Sequence, residues 1–130
     1  MRYINLLDNT ARVKTSKCFI YNNTIIFAVN RHDVSRAIGR DAVHVRILQE
    51  QIGKKIKIIR EAEGINDVRR FIEDIIAPRN VKTVSIDENV LTIIAGNIQT
   101  KAMLIGRDKR RYDELRKIVQ EYFGVDLKII

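Results

Sequence analysis

The residues of this chain whose types and spacing could do chemistry are glycines flanked by cations, and they occur twice. Ala37-Ile38-Gly39-Arg40-Asp41 returns as Leu104-Ile105-Gly106-Arg107-Asp108, an interval of 67 residues. Each glycine falls between two apolar stripes of helical period, so each marks a bend from a short helix into a longer one. A glycine there lets an anion approach the main chain closely, and the amides that open the next helix, with its dipole, favour negative charge. Arg36, Arg40 and Arg46 lie around the first bend, and Lys101, Arg107, Lys109, Arg110 and Arg111 around the second. The chemistry this predicts is the holding of phosphate groups, with no bond made or broken.

Other reactive residue types are poorly arranged for anything else. His32 and His44 lack a third ligand at metal spacing, so neither a metal nor another cofactor is expected. Cys18 is the only cysteine, which rules out an intramolecular disulfide, and its place opposite an apolar run suits a small core residue. Glu61 with Glu63, and Glu73 with Asp74, have no nucleophile or partnered base beside them, so they read as solvated charge and the chain is not expected to be an enzyme. Asp41 and Asp108 are expected to cap the helices that follow them. The cluster Arg107, Lys109, Arg110 and Arg111 could be an ordinary solvated helix start, but cations there oppose the helix dipole and gain no structural benefit from it.

The elements that must position the bends repeat as well. Gly53-Lys54-Lys55-Ile56-Lys57-Ile58-Ile59 returns as Gly124-Val125-Asp126-Leu127-Lys128-Ile129-Ile130 at an interval of 71 residues, so the second copy is about one helical turn longer between bend and final strand. In the second copy Val68, Phe71, Ile72, Ile75 and Ile76 stripe a helix, with Asn66 as its expected N-cap and Pro78 as its stop. Val84 and Ile86 begin a hairpin that turns at Asp87-Glu88-Asn89 into Val90 to Ala95. A short helix from Gln99 to Ile105, a longer one striped by Tyr112, Leu115, Ile118, Val119, Tyr122 and Phe123, and a strand from Val125 to Ile130 complete the unit. The first copy follows the same order: a hairpin turning at Asn22-Asn23, helices over 33–38 and 43–52, and a strand over 54–60. Only its leading helix, around Tyr3, Leu6 and Leu7, is expected to be short or absent. The fold class is therefore α+β in two tandem units, residues 1–63 and 64–130, each reading helix, strand, strand, helix, helix, strand.

Composition bounds what such a pair could do. The 130 residues are 45% hydrophobic and 31% charged, the range of a packed globular chain. The 24 Lys and Arg against 16 Asp and Glu leave a net charge of +8, which favours a polyanionic partner such as nucleic acid. No apolar run approaches the roughly 18 residues of a membrane span and no signal segment is evident, so a cytoplasmic protein with no membrane partner is expected.

The order of elements and the paired Ile-Gly bends resemble the type II KH domain, whose Gly-x-x-Gly loop clamps about four nucleotides of single-stranded backbone. More specifically, Cys18-Phe19-Ile20 before Ile25-Ile26-Phe27-Ala28-Val29, then Arg36-Ala37-Ile38-Gly39, Gly53-Lys54-Lys55-Ile56 and the Ile76-Ala77-Pro78 step resemble the archaeal NusA family over nearly the whole chain. The resemblance implies two KH domains in a factor of transcription elongation and termination that binds single-stranded RNA beside RNA polymerase. Carried onto this sequence it implicates Gly39, Arg40, Asp41 and Ala42 with Arg36 and Arg46, and Gly106, Arg107, Asp108 and Lys109 with Arg110 and Arg111. The sequence departs from the pattern where it matters: Ala42 and Lys109 replace both closing glycines. Each bend also sets an aspartate where phosphate would lie, and like charges about 4 Å apart repel by about 1 kcal/mol in water and about 4 at a partly screened surface. An alternative therefore stands beside RNA binding, a degenerate KH pair that docks on RNA polymerase or a ribosomal particle and touches RNA weakly. RNA sequence preference and oligomeric state are not legible.

Overall fold

The computed structural model describes residues 2–130, which form two compact units, the first ending at Glu61 and the second running Ala62–Ile130. The architecture is α+β, with six α-helices and two small mixed sheets among the described residues.

The first unit runs α1 (Arg2–Ala11), β1 (Lys17–Tyr21), β2 (Thr24–Val29), α2 (Val34–Ile38), α3 (Val43–Ile52) and β3 (Lys55–Arg60). Asn22 and Asn23, both at positive φ, make the two-residue turn between β1 and β2, the backbone that such a hairpin requires. The strands pair antiparallel with Cys18 opposite Phe27. β3 then returns beside β2 in parallel, Ile25 opposite Ile56 and Phe27 opposite Ile58, which only a crossover such as α2 and α3 allows. Leu7, Val13, Ile25, Phe27, Val29, Ala37, Leu48 and Ile56 form the core, with Tyr3, Leu6 and Cys18 packed against it.

The leading helix departs from expectation. It is ten residues long, neither brief nor absent, because Leu7 and Ala11 are buried and Tyr3 and Leu6 pack beside them. A stretch of weak intrinsic propensity is held as helix by that buried face.

The second unit repeats the plan with α4 (Val68–Ile76), β4 (Thr83–Asp87), β5 (Val90–Ile94), α5 (Ile98–Ile105), α6 (Arg110–Phe123) and β6 (Asp126–Ile129). Val84 lies opposite Ile93 in the antiparallel pair, and Leu91 opposite Leu127 in the parallel one, so sheet order and strand sense match the first unit. All five stripe residues of α4 are buried, and Phe71 packs on Tyr122 and Phe123 at centroid distances of 4.4 and 5.7 Å.

The cap of α4 is a correction. Asn66 lies inside a short 3₁₀ turn, Ile65–Asp67, and Asp67 takes the position before the helix. The Asp67 carboxylate makes no cap bond; it accepts from the Arg70 guanidinium at 2.6 Å and from the Glu63 amide at 3.1 Å. Arg70 also donates to Asp74 at 2.6 Å, so one guanidinium ties the entrance of the helix to its second turn.

Candidate functional site

The two bends are built alike down to their dihedral angles. α2 ends at Gly39, at φ 79 and ψ 166, and α5 ends at Gly106, at φ 75 and ψ 175. That region of backbone space is nearly closed to any residue with a Cβ. The Gly39 amide donates to the Ser35 carbonyl and the Gly106 amide to the Ala102 carbonyl, both at 2.9 Å, and so finish the preceding helices.

Two left-handed residues follow in each case. Asp41 and Ala42 have φ of 54 and 60, and Asp108 and Lys109 have 56 and 59. A non-glycine residue in this conformation costs roughly 1–2 kcal/mol, and aspartate tolerates it better than alanine or lysine. The fourth position of each bend thus keeps the backbone that a glycine would adopt freely. Ala42 and Lys109 donate back to the Gly39 and Gly106 carbonyls at 3.1 and 3.3 Å, and the first residue of each following helix donates to Arg40 or Arg107. These bonds leave the amides of Arg40, Asp41, Arg107 and Asp108 outside the turn's own ladder.

The aspartates do not cap, contrary to expectation. The cap positions of α3 and α6 are Ala42 and Lys109, and neither helix has a side-chain cap. A side chain that caps does so from extended backbone next to the first helical residue. Asp41 and Asp108 stand one residue further out and in left-handed geometry, so both carboxylates remain exposed.

The predicted cations divide into committed and uncommitted ones. At the first bend Arg36 pairs with Asp33 at 2.7 Å, and Arg46 donates from its guanidinium to the Asp41 carbonyl. Arg40 alone of that group enters no side-chain bond among the described residues, and Asp41 is its neighbour in the chain. At the second bend Arg111 is half-buried and donates to the Met103 carbonyl at 3.1 Å. Arg107, Lys109 and Arg110 are exposed and enter no side-chain bond among the described residues. From Gly39 to Val43 the charges cancel; from Gly106 to Arg110 three cations face one carboxylate. Further along α6, Arg116 is engaged by Asp126 at 2.8 Å, and that bond holds the Asp126 carboxyl below its usual range. Lys101 lies on α5 before the bend, exposed.

Curated archaeal proteins share this plan in sequence. "Probable transcription termination protein NusA" of Halococcus morrhuae is 24% identical over 128 residues, covering 97% of this chain and 90% of its own. The protein of the same name from Methanocaldococcus jannaschii is 27% identical over 131 residues, covering 98% of this chain and 70% of its own. The chain is similar to archaeal NusA-type proteins. No protein-family model matches it. A solved structure titled "Crystal structure of APE1850" matches 99% of this chain and 96% of its own at a TM-score of 0.69 and 23% identity, a likeness of fold. The resemblance to NusA read from the paired bends is therefore borne out by named relatives over nearly the full length.

Two pairings escaped the sequence reading although the interval could have found them. Asn30 and Asn97 stand 67 residues apart, like the glycines, and each accepts a main-chain amide at the start of the helical segment before a bend: His32 to Asn30 at 2.9 Å and Thr100 to Asn97 at 2.7 Å. His44 and Arg111 share that interval and lie against the two glycines, where an added Cβ would meet the His44 ring at 2.8 Å and the Arg111 stem at 3.0 Å. Elsewhere, no group of three or more metal-ligating side chains occurs among the described residues, and no helix is long and apolar enough to cross a membrane. Burial raises the Cys18 thiol from the ordinary 9.0 to about 11.

Proposed function

We propose that this chain binds single-stranded RNA as a NusA-type transcription elongation and termination factor, with two tandem type II KH-like domains over residues 1–63 and 64–130. The observation that carries the proposal is the matched bend: two left-handed residues after a glycine in both units, at the loop where a KH domain holds the nucleic-acid backbone. The element order and the antiparallel-then-parallel sheet in each unit support the KH reading. Phosphates lie along Gly39 to Ala42 and Gly106 to Lys109, held by the amides of Arg40, Asp41, Arg107 and Asp108 and by side chains at Arg40, Arg107, Lys109 and Arg110. Bases rest on the apolar flank between helices and sheet. The second unit is the stronger, because Arg107, Lys109 and Arg110 are uncommitted among the described residues. The protein works in the cytoplasm, alongside RNA polymerase, and catalyses no reaction.

The carboxylates of Asp41 and Asp108, exposed and in no ion pair among the described residues, favour a second reading, in which the units dock on RNA polymerase or a ribosomal particle and RNA contact is weak. Filter-binding titration against single-stranded RNA at two salt concentrations separates the readings. RNA binding gives an affinity that falls with salt, at a logarithmic slope of about −0.7 per phosphate neutralised, and drops sharply in an Arg107→Glu/Arg110→Glu variant. No measurable salt-dependent affinity, or none lost in that variant, favours the docking reading.

A further inference from the structure

A second feature of the second unit lies at the other end of α5 from its bend. A cleft of about 330 Å³ opens between the start of α5 and the ends of β5 and β6, lined by Ile94, Ile98 and Ile130 with Lys82 and Lys101. The apolar lining is unusually bare: Ile98 is 83% exposed, Ile130 50% and Ile94 36%. Contiguous aliphatic surface rimmed by charge marks a place where another molecule sits.

The fold does not require this surface, and the first unit serves as the internal control. Ile94 opens the β4 to β5 register opposite Thr83, and the residue in the same place, opposite Lys17, is Ala28, fully buried. Ile98 follows the capping Asn97, and the residue following the capping Asn30 is Arg31. Ile94 and Ile98 are thus particular to one copy of a duplicated plan, whereas Ile130 has a counterpart in Ile59, which is buried.

The lining also selects its occupant. It has no aromatic ring and no arginine, the groups on which nucleobases stack. Lys82 and Lys101 are exposed and enter no ion pair among the described residues, so the rim carries two unengaged ammonium groups. We infer that this cleft docks an extended or helical segment of a partner protein in which aliphatic side chains alternate with aspartate or glutamate. The aliphatic groups fill the floor and the carboxylates meet Lys82 and Lys101 at the rim, which gives the contact a salt dependence. This inference goes beyond RNA binding at the bends and does not depend on it.

The test is selection of a random peptide display library of about twelve residues per member against the full chain, followed by fluorescence anisotropy of a labelled selected peptide. Acidic-aliphatic sequences are expected to be enriched. Ile98→Ser and Lys82→Glu, both at exposed positions, should each weaken the selected peptide by about tenfold or more, as loss of an interface anchor does. The affinity of Ile98→Ser for single-stranded RNA should stay within about twofold of wild type, as for a surface change remote from the bend. The proposal is overturned if no acidic-aliphatic sequence is enriched, or if selected peptides bind both variants as well as wild type. A parallel loss of RNA affinity in Ile98→Ser also overturns it, and assigns the cleft to bases.

Discussion

His44 donates from Nδ1 to the main-chain carbonyl of Arg36, 2.8 Å away, tying the first turn of α3 back across the bend to α2. A carbonyl can only accept, so this ring nitrogen carries the proton. Arg111 makes the same tie to Met103 in the second unit, and both side chains lie directly over the bend glycine. Arg111 is therefore a clamp, although its place in a basic cluster suggested a phosphate contact. Arg111→Ala is expected to destabilise the second unit by about 1–2 kcal/mol in urea unfolding, the worth of a hydrogen bond from a charged donor plus lost packing. Arg111→Lys should recover part of that, and the salt slope of RNA binding should be the same in wild type and Arg111→Gln. A slope that falls by a full phosphate contact in Arg111→Gln would return this residue to the binding surface.

Substitutions at the two ends of a bend should have opposite signs. Gly39→Ala and Gly106→Ala each force a Cβ into backbone space nearly reserved for glycine, at a cost of about 1–3 kcal/mol. Gly39→Ala should cost more, because its Cβ meets the His44 ring at 2.8 Å and Val43 at 2.9 Å, whereas at Gly106 the Arg111 Cγ, Cβ and amide nitrogen stand at 3.0, 3.1 and 3.2 Å. Ala42→Gly relieves a left-handed alanine and should gain up to about 1 kcal/mol once the added freedom of the unfolded glycine is set against it. Lys109→Gly gives the same relief but removes a cation, so it should stabilise the fold while lowering the RNA salt slope by about 0.7. Thermal unfolding of the four variants checks the signs, and a loss of stability in Ala42→Gly would mean that the bend is not held left-handed in solution.

What the sequence made legible follows from its duplication. Ile-Gly-Arg-Asp twice, with the same strand and helix patterns around it, is enough to place both hairpins and the α2 to α3 and α5 to α6 bends, because a pattern seen twice is constrained twice. The leading helix was not legible, since Tyr3, Leu6 and Leu7 become a helix face only when the buried sheet residues cover them. The role of the aspartates was not legible either. Whether a carboxylate beside a helix start caps it depends on one residue of register and on the sign of φ, which residue type alone does not set. Commitment of charge is the third gap. Arg36, Arg46 and Arg111 look like Arg40 and Arg107 in the sequence, and only the positions of Asp33, the Asp41 carbonyl and the Met103 carbonyl distinguish them.

Cys18 gives a reporter on the first unit. It faces Phe27 across the hairpin and packs against the core that includes Leu7, and burial pushes its thiol up to about 11. The folded protein therefore keeps the thiol proton at a pH where the unfolded chain has released it. That contribution to stability is complete below about pH 9 and is lost as pH rises through 11. Iodoacetamide alkylation should show a rate midpoint near pH 11 in buffer and near 9 in urea. A midpoint near 9 in the native protein would place the thiol in solvent and contradict the packing of β1 against α1.

The imbalance between the bends should be measurable in the salt dependence of binding. At the first bend Arg40 stands beside Asp41, and the neighbouring Arg36 and Arg46 are occupied by Asp33 and by the loop's own carbonyl. At the second, Arg107, Lys109 and Arg110 surround Asp108 with no competing partner among the described residues. Arg40→Glu should therefore reduce the salt slope for single-stranded RNA by no more than about one contact, near 0.7, and Arg107→Glu/Arg110→Glu by about two. Asp41→Asn should act in the other sense: removing one exposed carboxylate leaves Arg40 uncompensated and should tighten binding by several-fold at low salt, with the gain fading as salt screens it. If Arg40→Glu instead lowers affinity as much as the double variant does, the first bend carries a phosphate despite its cancelled charge. The Arg40 cation would then be as important a backbone contact as those of the second unit.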